Sequence, residues 1–353
     1  MASSGTANAA VLDSAELKAV KAGGLIREDV MNKIFDISKI PLPFTDMVGS
    51  TTAKNEYVEW TKDQLSNPNI ANAVIDGSDI TGNDAATGER VGNHHQISVK
   101  AVQVSYRADA SDTIGRAKEL AYQLMRRQQE LRRDVEAIAL GNQASVADNG
   151  TTVAGKVGTL CSWLKSNAIG SSSQGFNLDT KLTVAATPAA AVALTEANLR
   201  DTIQSVYQNG GDASVMMTTP AVIAKFSQYM IKSAGATAQI HTEVDGRSKE
   251  PVTALGTVNV FVTDFGTIRA VPNRLQQTYD DATPTTPKKA STVFILDPSY
   301  ISLCYLKGYQ TDELAKTGLS EKRVMSVDWS LIVHTEKAHG MIFGVDGSVA
   351  MTA

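Results

Sequence analysis

The sequence QISVKAVQVSYRA, which runs from Gln96 to Ala108, alternates apolar and polar side chains. This period of two predicts a long β-strand with one face against a core. The alternation changes phase between Ala101 and Val102, which indicates a β-bulge or a local twist at that point. This predicted strand is the reference for assigning the segments before and after it.

A long polar segment precedes this strand. Another extended segment is predicted from Glu56 to Leu65 around Val58 and Trp60, and residues 66–95 between the two are rich in Asn, Asp, Gly, Ser and Thr. Loops above about 12–15 residues are uncommon inside a compact domain. We therefore predict a hairpin-like arm that leaves the domain and lies on another subunit, and we expect Trp60 on its stem to reach that neighbour.

A long helix is predicted after the strand. The stretch from Arg116 to Gln143 contains no Pro, and its single Gly, Gly141, lies near its end. Its apolar residues form one narrow stripe at helical spacing: Leu120, Leu124, Leu131, Val135 and Ile138. At 1.5 Å per residue the helix would be about 40 Å long. One seam would face a core, and the charged faces would meet water or other subunits.

Four arginines on this helix have two interpretations. Arg126, Arg127, Arg132 and Arg133 can contact phosphates or the acidic residues of a neighbouring subunit. Alternatively they form a solvated face, since Glu130, Asp134 and Glu136 are interleaved with them. We favour subunit pairing or solvation over DNA binding.

Composition narrows the class of protein. The 353 residues include 33 basic and 37 acidic side chains, a net charge of −4, so no global attraction to nucleic acid is expected. Cys161 and Cys304 lie in apolar surroundings and are predicted to be buried thiols. The sequence shows neither a secretory signal nor a run of about 18 apolar residues able to span a bilayer.

The second half of the chain mixes helices and strands. Thr195 is a predicted N-cap, and Thr219-Pro220 is predicted to start a further helix. The tripeptide Asp264-Phe265-Gly266 matches a magnesium-binding motif of kinases, but without the other kinase motifs it is predicted to be a hairpin turn. The last strands are expected to return to the long helix, which gives an α+β fold with an inserted domain.

No catalytic, cofactor-binding or metal site is predicted. His94 and His95 are neighbours in a strand and would point to opposite faces, so surface histidines are expected. Trp163 and Trp329 are expected in the core. No HExxH motif, Cys/His cluster, Walker-type loop or nucleophile elbow is present.

The succession of motifs resembles the major capsid proteins of tailed bacteriophages, with the Hong Kong ninety-seven-like fold. The resemblance spans about residues 25–345. It is carried by LIREDVMNKIFDISKIPLPFTDMVG, NEYVEW, GNHHQISVKAVQVS, ELAYQLMRRQQELRRDVEAIALGNQ and EKAHGMIFGV.

The resemblance implies a division of the chain into four parts. Residues 1–50 correspond to an N-terminal arm and 51–107 to an extended loop. Residues 108–194 and 301–353 correspond to a peripheral domain with a spine helix at 115–143, and 195–300 to an axial domain. Some fifty residues before the first strand would be too few for a large fused scaffold, so a separate scaffold or none is implied.

The implied function is a shell of hexamers and pentamers, icosahedral or prolate, that encloses phage double-stranded DNA. Scaffold, portal and decoration proteins are further candidate partners, and the packaged DNA would be held by weak non-specific contact. Synthesis is expected in the bacterial cytoplasm, and no membrane partner is expected. Some relatives crosslink through Lys and Asn, but no acceptor matches Lys54 or Lys62, so crosslinking is not predicted.

The subunit-interface candidates are Trp60, Lys62, Arg126, Arg127, Arg132 and Arg133. Removal of residues 67–93 is expected to leave a soluble subunit that cannot close shells. Two alternatives stay open from the sequence. One is an encapsulin-like compartment shell, and the other is a soluble α+β enzyme whose polar arm is a lid.

Overall fold

The structure is a computed structural model that describes residues 41–66, 68–79, 82, 88–111, 116–238, 260–280, 289–316 and 318–352. The first 40 residues of the predicted N-terminal arm and His241 lie outside this set. Six α-helices are found in the described part: α1 Pro43–Met47, α2 Tyr106–Ala110, α3 Glu119–Ala139, α4 Leu160–Trp163, α5 Glu196–Gln208 and α6 Pro220–Ala238. Short 3-10 turns occupy Pro298–Tyr300 and Glu336–Ala338. None of these helices is long and apolar enough to cross a membrane.

Strands make up most of the remaining regular structure. The first nine are β1 Gly49–Thr52, β2 Tyr57–Lys62, β3 Glu89–His94, β4 Gln96–Ser105, β5 Ala168–Ile169, β6 Ser171–Ser172, β7 Gly175–Asn177, β8 Leu182–Val184 and β9 Thr187–Pro188. The others are β10 Val215–Thr218, β11 Val260–Thr263, β12 Gly266–Pro272, β13 Tyr279–Asp280, β14 Lys289–Leu296, β15 Ile301–Glu313, β16 Ser320–Val333 and β17 Gly340–Asp346.

A four-stranded sheet in the order β1-β15-β16-β4 carries the long helix α3. The antiparallel register between β4 and β16 runs without a break from Ser105 opposite Ser320 to Gln96 opposite Trp329. The predicted bulge at Ala101–Val102 is therefore wrong. On one face of β4, Ser98, Val102 and Val104 are buried, and Ser98 accepts a hydrogen bond from the buried Trp329 indole at 3.1 Å.

The opposite face of β4 is exposed. Ile97 and Val99, whose apolar character suggested a core position, are 63% and 50% exposed in the single subunit. The apparent change of phase in the sequence thus arises because both faces of one regular strand carry apolar residues.

Helix α3 is shorter than the sequence pattern indicated. Its 21 residues extend about 32 Å, and the prediction of helix over 115–143 is wrong at both ends. At the start, Lys118 is extended, and the side chain of Asp109 in α2 accepts from the Leu120 amide at 3.1 Å. At the end, Leu140 leaves helical geometry just before Gly141. The helix start is therefore set by a contact with another element.

A second sheet lies between two apolar clusters. Its order is β11-β12-β10-β14-β17-β5, with β13 paired to β14. Alternate residues of β14 point to different clusters: Phe294 to the one that contains α3 and Trp329, and Ile295 to the one that contains α5 and the start of α6. Burial on both faces explains why this strand is a continuous apolar run and not an alternating one.

Several local predictions are confirmed. The Thr195 side chain accepts from the Asn198 amide at 3.1 Å as an N-cap of α5, and Pro220 is the first residue of α6. Asp264 and Phe265 form the turn between β11 and β12. Trp163, Trp329 and both cysteines are buried. In the Cys161 thiol, burial raises the pKa to about 12.

Candidate functional site

The base of the extended loop is a two-stranded hairpin that we call the stem, formed by β2 and β3. The register runs from Tyr57 opposite His94 to Lys62 opposite Glu89. The sequence pattern placed β3 inside the polar connection, and that assignment is wrong. The pattern was missed because β3 (ERVGNH) contains one apolar side chain, Val91, and its stability comes from partners far along the chain.

Asn93 anchors β3 to the core. Its side-chain amide donates to the carbonyls of Gly158 at 2.9 Å and Leu331 at 2.8 Å, and its oxygen accepts from the Gly158 amide at 2.8 Å. The residue is fully buried. Removal of residues 67–93 would therefore damage the core as well as the loop, so the loop must be tested with a shorter deletion that keeps β3.

The structure places Trp60 and Lys62 on the stem. The Trp60 indole donates to the His334 carbonyl at 3.3 Å, and its ring packs on Trp163 with centroids 5.2 Å apart. Lys62 forms an ion pair with Glu89 across the hairpin at 2.9 Å. Both side chains hold the stem in shape and against its own subunit. Their predicted contact with a neighbouring subunit stays a prediction.

The residues between Lys62 and Glu89, numbers 63–88, form what we call the tip. Its described apolar side chains project into solvent: Leu65 is 93% exposed, and Ile70, Val74 and Ile75 are also exposed. Isolated exposed apolar residues are ordinary, but several on one loop are typical of a surface that is covered in an assembly.

The charged side chains of α3 differ in burial and in whether they form ion pairs within the subunit. Three of its carboxylates form ion pairs within the subunit: Glu119 with Arg116 at 2.6 Å, Glu130 with Arg127 at 2.5 Å, and Asp134 with Lys100 at 2.6 Å. The fourth, Glu136, is buried. Of the four candidate arginines, Arg127 is thus engaged within its own helix.

The other three arginines have no carboxylate partner among the residues that the structure describes. Arg126 lies over the Tyr122 ring at 5.9 Å, and the exposed Arg132 lies over the Tyr309 ring at 5.4 Å. Arg126 and Arg133 are seven residues apart, as are Met125 and Arg132, so these pairs follow neighbouring lines along the helix. We call Met125, Arg126, Arg132 and Arg133 the arginine face.

Glu136 is the residue that sequence reasoning missed most clearly. Its buried carboxylate accepts from the backbone amides of Phe44 at 2.8 Å and Thr45 at 2.7 Å, from the Thr45 hydroxyl, and from the Asn273 amide at 2.7 Å. It therefore connects α1, α3 and the chain just after β12. In the sequence it stood in a run of charged residues and was assigned to the outer face.

His95 occupies the junction between the stem and β4. Its backbone amide and Nδ1 both contact the Glu56 carbonyl, at 3.0 and 2.9 Å. It is buried, so the prediction of a surface histidine is wrong for His95. Burial lowers the pKa of His95, while the nearby Asp328 carboxylate opposes that change. The side chain thus acts as a neutral structural link at this corner.

The described residues hold no group of three or more His, Cys, Asp or Glu side chains placed to bind a metal ion. Three surfaces in the described part of the chain have functional potential: the exposed tip, the stem that carries it, and the arginine face.

Comparison with known proteins gives a consistent result. A family model described as SU10 major capsid protein matches residues 5–346. The major capsid protein of Escherichia phage Phieco32 is 25% identical over 350 residues, with 90% of this chain and 94% of that protein covered.

Two solved structures show the same fold at low identity. The capsid of a native GTA particle aligns with TM-score 0.58 and 12% identity, over 95% of this chain and all of the other. The encapsulin SrpI complex from Synechococcus elongatus PCC 7942 aligns with TM-score 0.52 and 10% identity, over 98% and 99%.

Proposed function

The chain belongs to the SU10 major capsid protein family and is a phage major capsid protein with the Hong Kong ninety-seven-like α+β fold; we propose that it assembles as pentamers and hexamers into an icosahedral or prolate shell around double-stranded DNA. We assign it a structural role and no catalytic one. Within this proposal residues 1–50 act as the arm, 51–107 as the extended loop, 195–300 as the axial domain, and 108–194 with 301–353 as the peripheral domain.

The observation that carries the proposal is the exposed tip at the end of the stem. The stem is fixed to the core through Trp60 and Asn93, so the tip starts from a defined position. The apolar side chains that the structure describes in the tip, Leu65, Ile70, Val74 and Ile75, are exposed in the single subunit. Between the paired residues Lys62 and Glu89 lie 26 residues, and a chain of 13 residues spans at most about 45 Å, enough to reach over a neighbour.

Assembly would follow from many modest contacts arranged by closed symmetry. Fixing side chains of one subunit against a neighbour would cost conformational entropy, which weakens each contact. Weak contacts allow misplaced subunits to leave before a shell closes. The exposed apolar face of β4, with Ile97 and Val99, would add a second surface for such contacts.

Other partners belong to the same proposal. Scaffold, portal and decoration proteins are candidates, and the subunit would be made in the bacterial cytoplasm. The chain's net charge of −4 favours confinement and counterions over tight binding as the way in which DNA is held. The matched family and the curated phage relative favour a phage capsid over an encapsulin-like compartment, which shares the fold.

The proposal is tested by electron microscopy and mass photometry of the full chain, alone and with the scaffold of its phage. A matched variant replaces residues 66–86 with a short Gly-Ser turn and keeps both stem strands. The full chain is expected to form shells, and the variant a folded subunit or capsomer that does not close. A monomer under every condition would contradict the proposed function, and normal shells from the variant would contradict the role of the tip.

A further inference from the structure

We propose that His95 and the Glu56 carbonyl form an acid-sensitive clasp, which holds the base of the stem while the imidazole is neutral and releases it when the imidazole gains a proton. The clasp lies within one subunit, at the corner between β3 and β4. It goes beyond the assembly role proposed above, because it can open or close in a subunit that has no neighbour.

His95 closes the stem at its base through one carbonyl group. Its backbone amide donates to the Glu56 carbonyl at 3.0 Å, and its ring nitrogen Nδ1 lies 2.9 Å from the same oxygen. A carbonyl oxygen only accepts hydrogen bonds, so Nδ1 carries a hydrogen. In the neutral ring Nε2 then has the lone pair. Glu56 directly precedes β2 and His95 directly follows β3, so these two bonds join the two ends of the hairpin.

The other ring nitrogen explains why the clasp requires a neutral imidazole. The His95 side chain is buried, and Nε2 has no hydrogen-bond partner among the described residues. A proton at Nε2 would place a positive charge and a donor without an acceptor in the protein interior. Both are unfavourable compared with an imidazolium in water. The closed corner therefore favours the neutral ring.

The charged and titratable groups around His95 come from each element that packs against it. They are Glu56 before β2, His94 at the end of β3, Asp328 of β16, Lys307 opposite it in β15, and Asp148 and Lys156 of the loop whose Gly155 lies against the His95 carbonyl.

Asp328 is the group that could favour an imidazolium at this corner. Its buried Oδ1 has no hydrogen-bond partner among the described residues, so it does not hold Nε2 in place. Burial lowers the pKa of His95, and the bond to Glu56 and the Asp328 charge oppose that change only in part. The surroundings therefore leave the clasp selective for the neutral ring.

Acid consequently favours the open corner. A hydrated imidazole has a pKa of about 6.5, and burial lowers the pKa of His95 in the closed corner. The stabilising effect of the clasp is thus complete above about pH 6.5 and is lost as the pH falls below that value. Asp328 acts in the opposite direction, since burial raises its pKa and the closed corner takes up that proton more readily towards about pH 4. A comparison of pH 7.5 with pH 5 therefore isolates the effect of His95.

Release would free the connection between β1 and the stem. Residues 54–56 in this connection are exposed. The chain on the other side of the clasp is fixed to the core: the His94 carbonyl accepts from the Ser330 hydroxyl at 3.0 Å, and the Gln96 side chain accepts from the Gln143 amide at 2.9 Å. The connection would therefore move while β4 stays in place, which changes the direction in which the stem leaves the subunit.

Hydrogen exchange of the unassembled full chain at pH 7.5 and pH 5 tests the clasp, with each rate divided by the intrinsic rate at that pH. In the wild type the amides of residues 53–60 and 92–96 are expected to exchange about 5- to 30-fold faster at pH 5. The upper value is that of a single proton bound only by the open corner with a pKa of about 6.5. Amides of β17 are the internal reference and are expected to change less than about twofold.

Two neighbouring histidines provide matched variants. His95→Asn keeps an N–H donor close to the place of Nδ1 but does not titrate, so its ratio between the two pH values is expected to lie within about twofold of one. His94→Asn removes the adjacent half-buried imidazole and is expected to keep the acid effect of the wild type.

Asp328→Asn gives an independent arm that does not alter the clasp itself. It removes the charge that favours an imidazolium in the closed corner, so the acid effect is expected to be at least about twofold larger than in the wild type. This arm and the wild-type ratio decide the question even where His95→Asn does not fold.

Four outcomes would overturn the clasp. They are equal exchange of the wild-type stem at the two pH values, an acid effect that persists in His95→Asn, one that disappears in His94→Asn, and one that extends equally to β17. A smaller effect in Asp328→Asn would show that the pair binds the proton in the closed corner, which also contradicts the proposal. None of these results bears on shell formation, so the clasp and the capsid role stand or fall separately.

Discussion

Replacement of Glu136 should release α1 from the long helix. The Glu136 carboxylate is fully buried and accepts four hydrogen bonds, two of them from the backbone amides of Phe44 and Thr45. Within the described residues no salt bridge joins it to a cation, so these donors alone compensate the burial of its charge. A side chain without acceptors at this position leaves all four donors without their partner.

The size of the effect follows from the donors that cannot reach water. The Phe44 amide and the Asn273 side chain are fully buried, and each stranded donor costs about 1–3 kcal/mol. The Thr45 hydroxyl can rotate and the charge itself no longer has to be buried, which offsets part of the loss. We therefore expect Glu136→Ala to lower the free energy of unfolding by about 3–4 kcal/mol. Glu136→Gln keeps one acceptor oxygen and should lose about 2 kcal/mol.

Thermal unfolding and hydrogen exchange of the unassembled subunit measure this loss. With an unfolding entropy of about 2.1 cal/mol/K per residue, 3–4 kcal/mol corresponds to a midpoint about 4–5 °C lower for a chain of 353 residues. The Phe44 and Thr45 amides should exchange faster in both variants. Glu130→Ala is the matched control on the same helix. It removes a half-exposed pair with Arg127, and we expect a change of about 0.5 kcal/mol or less.

A midpoint for Glu136→Ala within about 1 °C of that of Glu130→Ala would refute the reasoning. So would unchanged protection of the two amides, because the hydrogen bonds would then not be what holds α1 in place.

Three further predictions concern other parts of the chain. Burial lowers the pKa of His339 from 6.5 to about 4, so its contribution to stability, about 3 kcal/mol, is complete above pH 6.5 and is lost as the pH falls through 4. His339 Nδ1 accepts a hydrogen bond from the Asp297 amide, and His339→Asn should keep that bond. The melting temperature of this variant should therefore fall less than that of the wild type as the pH is lowered from 7 to 4. Equal falls in the two proteins would contradict this prediction. A Cβ at Gly92 would lie 2.6 Å from the Tyr57 ring and 2.7 Å from the Val58 carbonyl oxygen. Gly92→Ala should therefore open the stem to protease and reduce the yield of shells. Gly82→Ala is the control and should do neither, because a Cβ at Gly82 has open space around it. Cys161 and Cys304 should react with a thiol reagent only after denaturation, and rapid labelling of the native subunit would show that they are accessible.

Local signals in the sequence predicted many elements correctly. The N-cap at Thr195 and the start of α6 at Pro220 depend on backbone geometry within a few residues, which the sequence reports directly. The turn at Asp264-Phe265 between two apolar runs is equally local. The class of fold and the existence of a long exposed loop and a long charged helix were predicted in the same way.

The boundaries of the loop and the helix were not predictable from local pattern. Strand β3 is held by Asn93, whose partners lie 65 and 238 residues away. Helix α3 begins where Asp109 caps it from α2. Such contacts produce no periodic pattern in the sequence. A single polar residue in a strand or loop gives the same sequence pattern whether its partner is water or a distant carbonyl.

Sequence alone predicted the α+β class, the charged helix, the long polar loop and the burial of both cysteines, because these depend on periodicity, composition and short-range geometry. The folded structure was needed to show that Glu136 is buried as a link to α1. It also shows that Arg126, Arg132 and Arg133 have no carboxylate partner among the described residues. Burial of a charge depends on which donors the fold brings to it, and those of Glu136 come from residues 91 to 137 positions away. Periodicity along one helix can show which face a residue occupies, but not what covers that face.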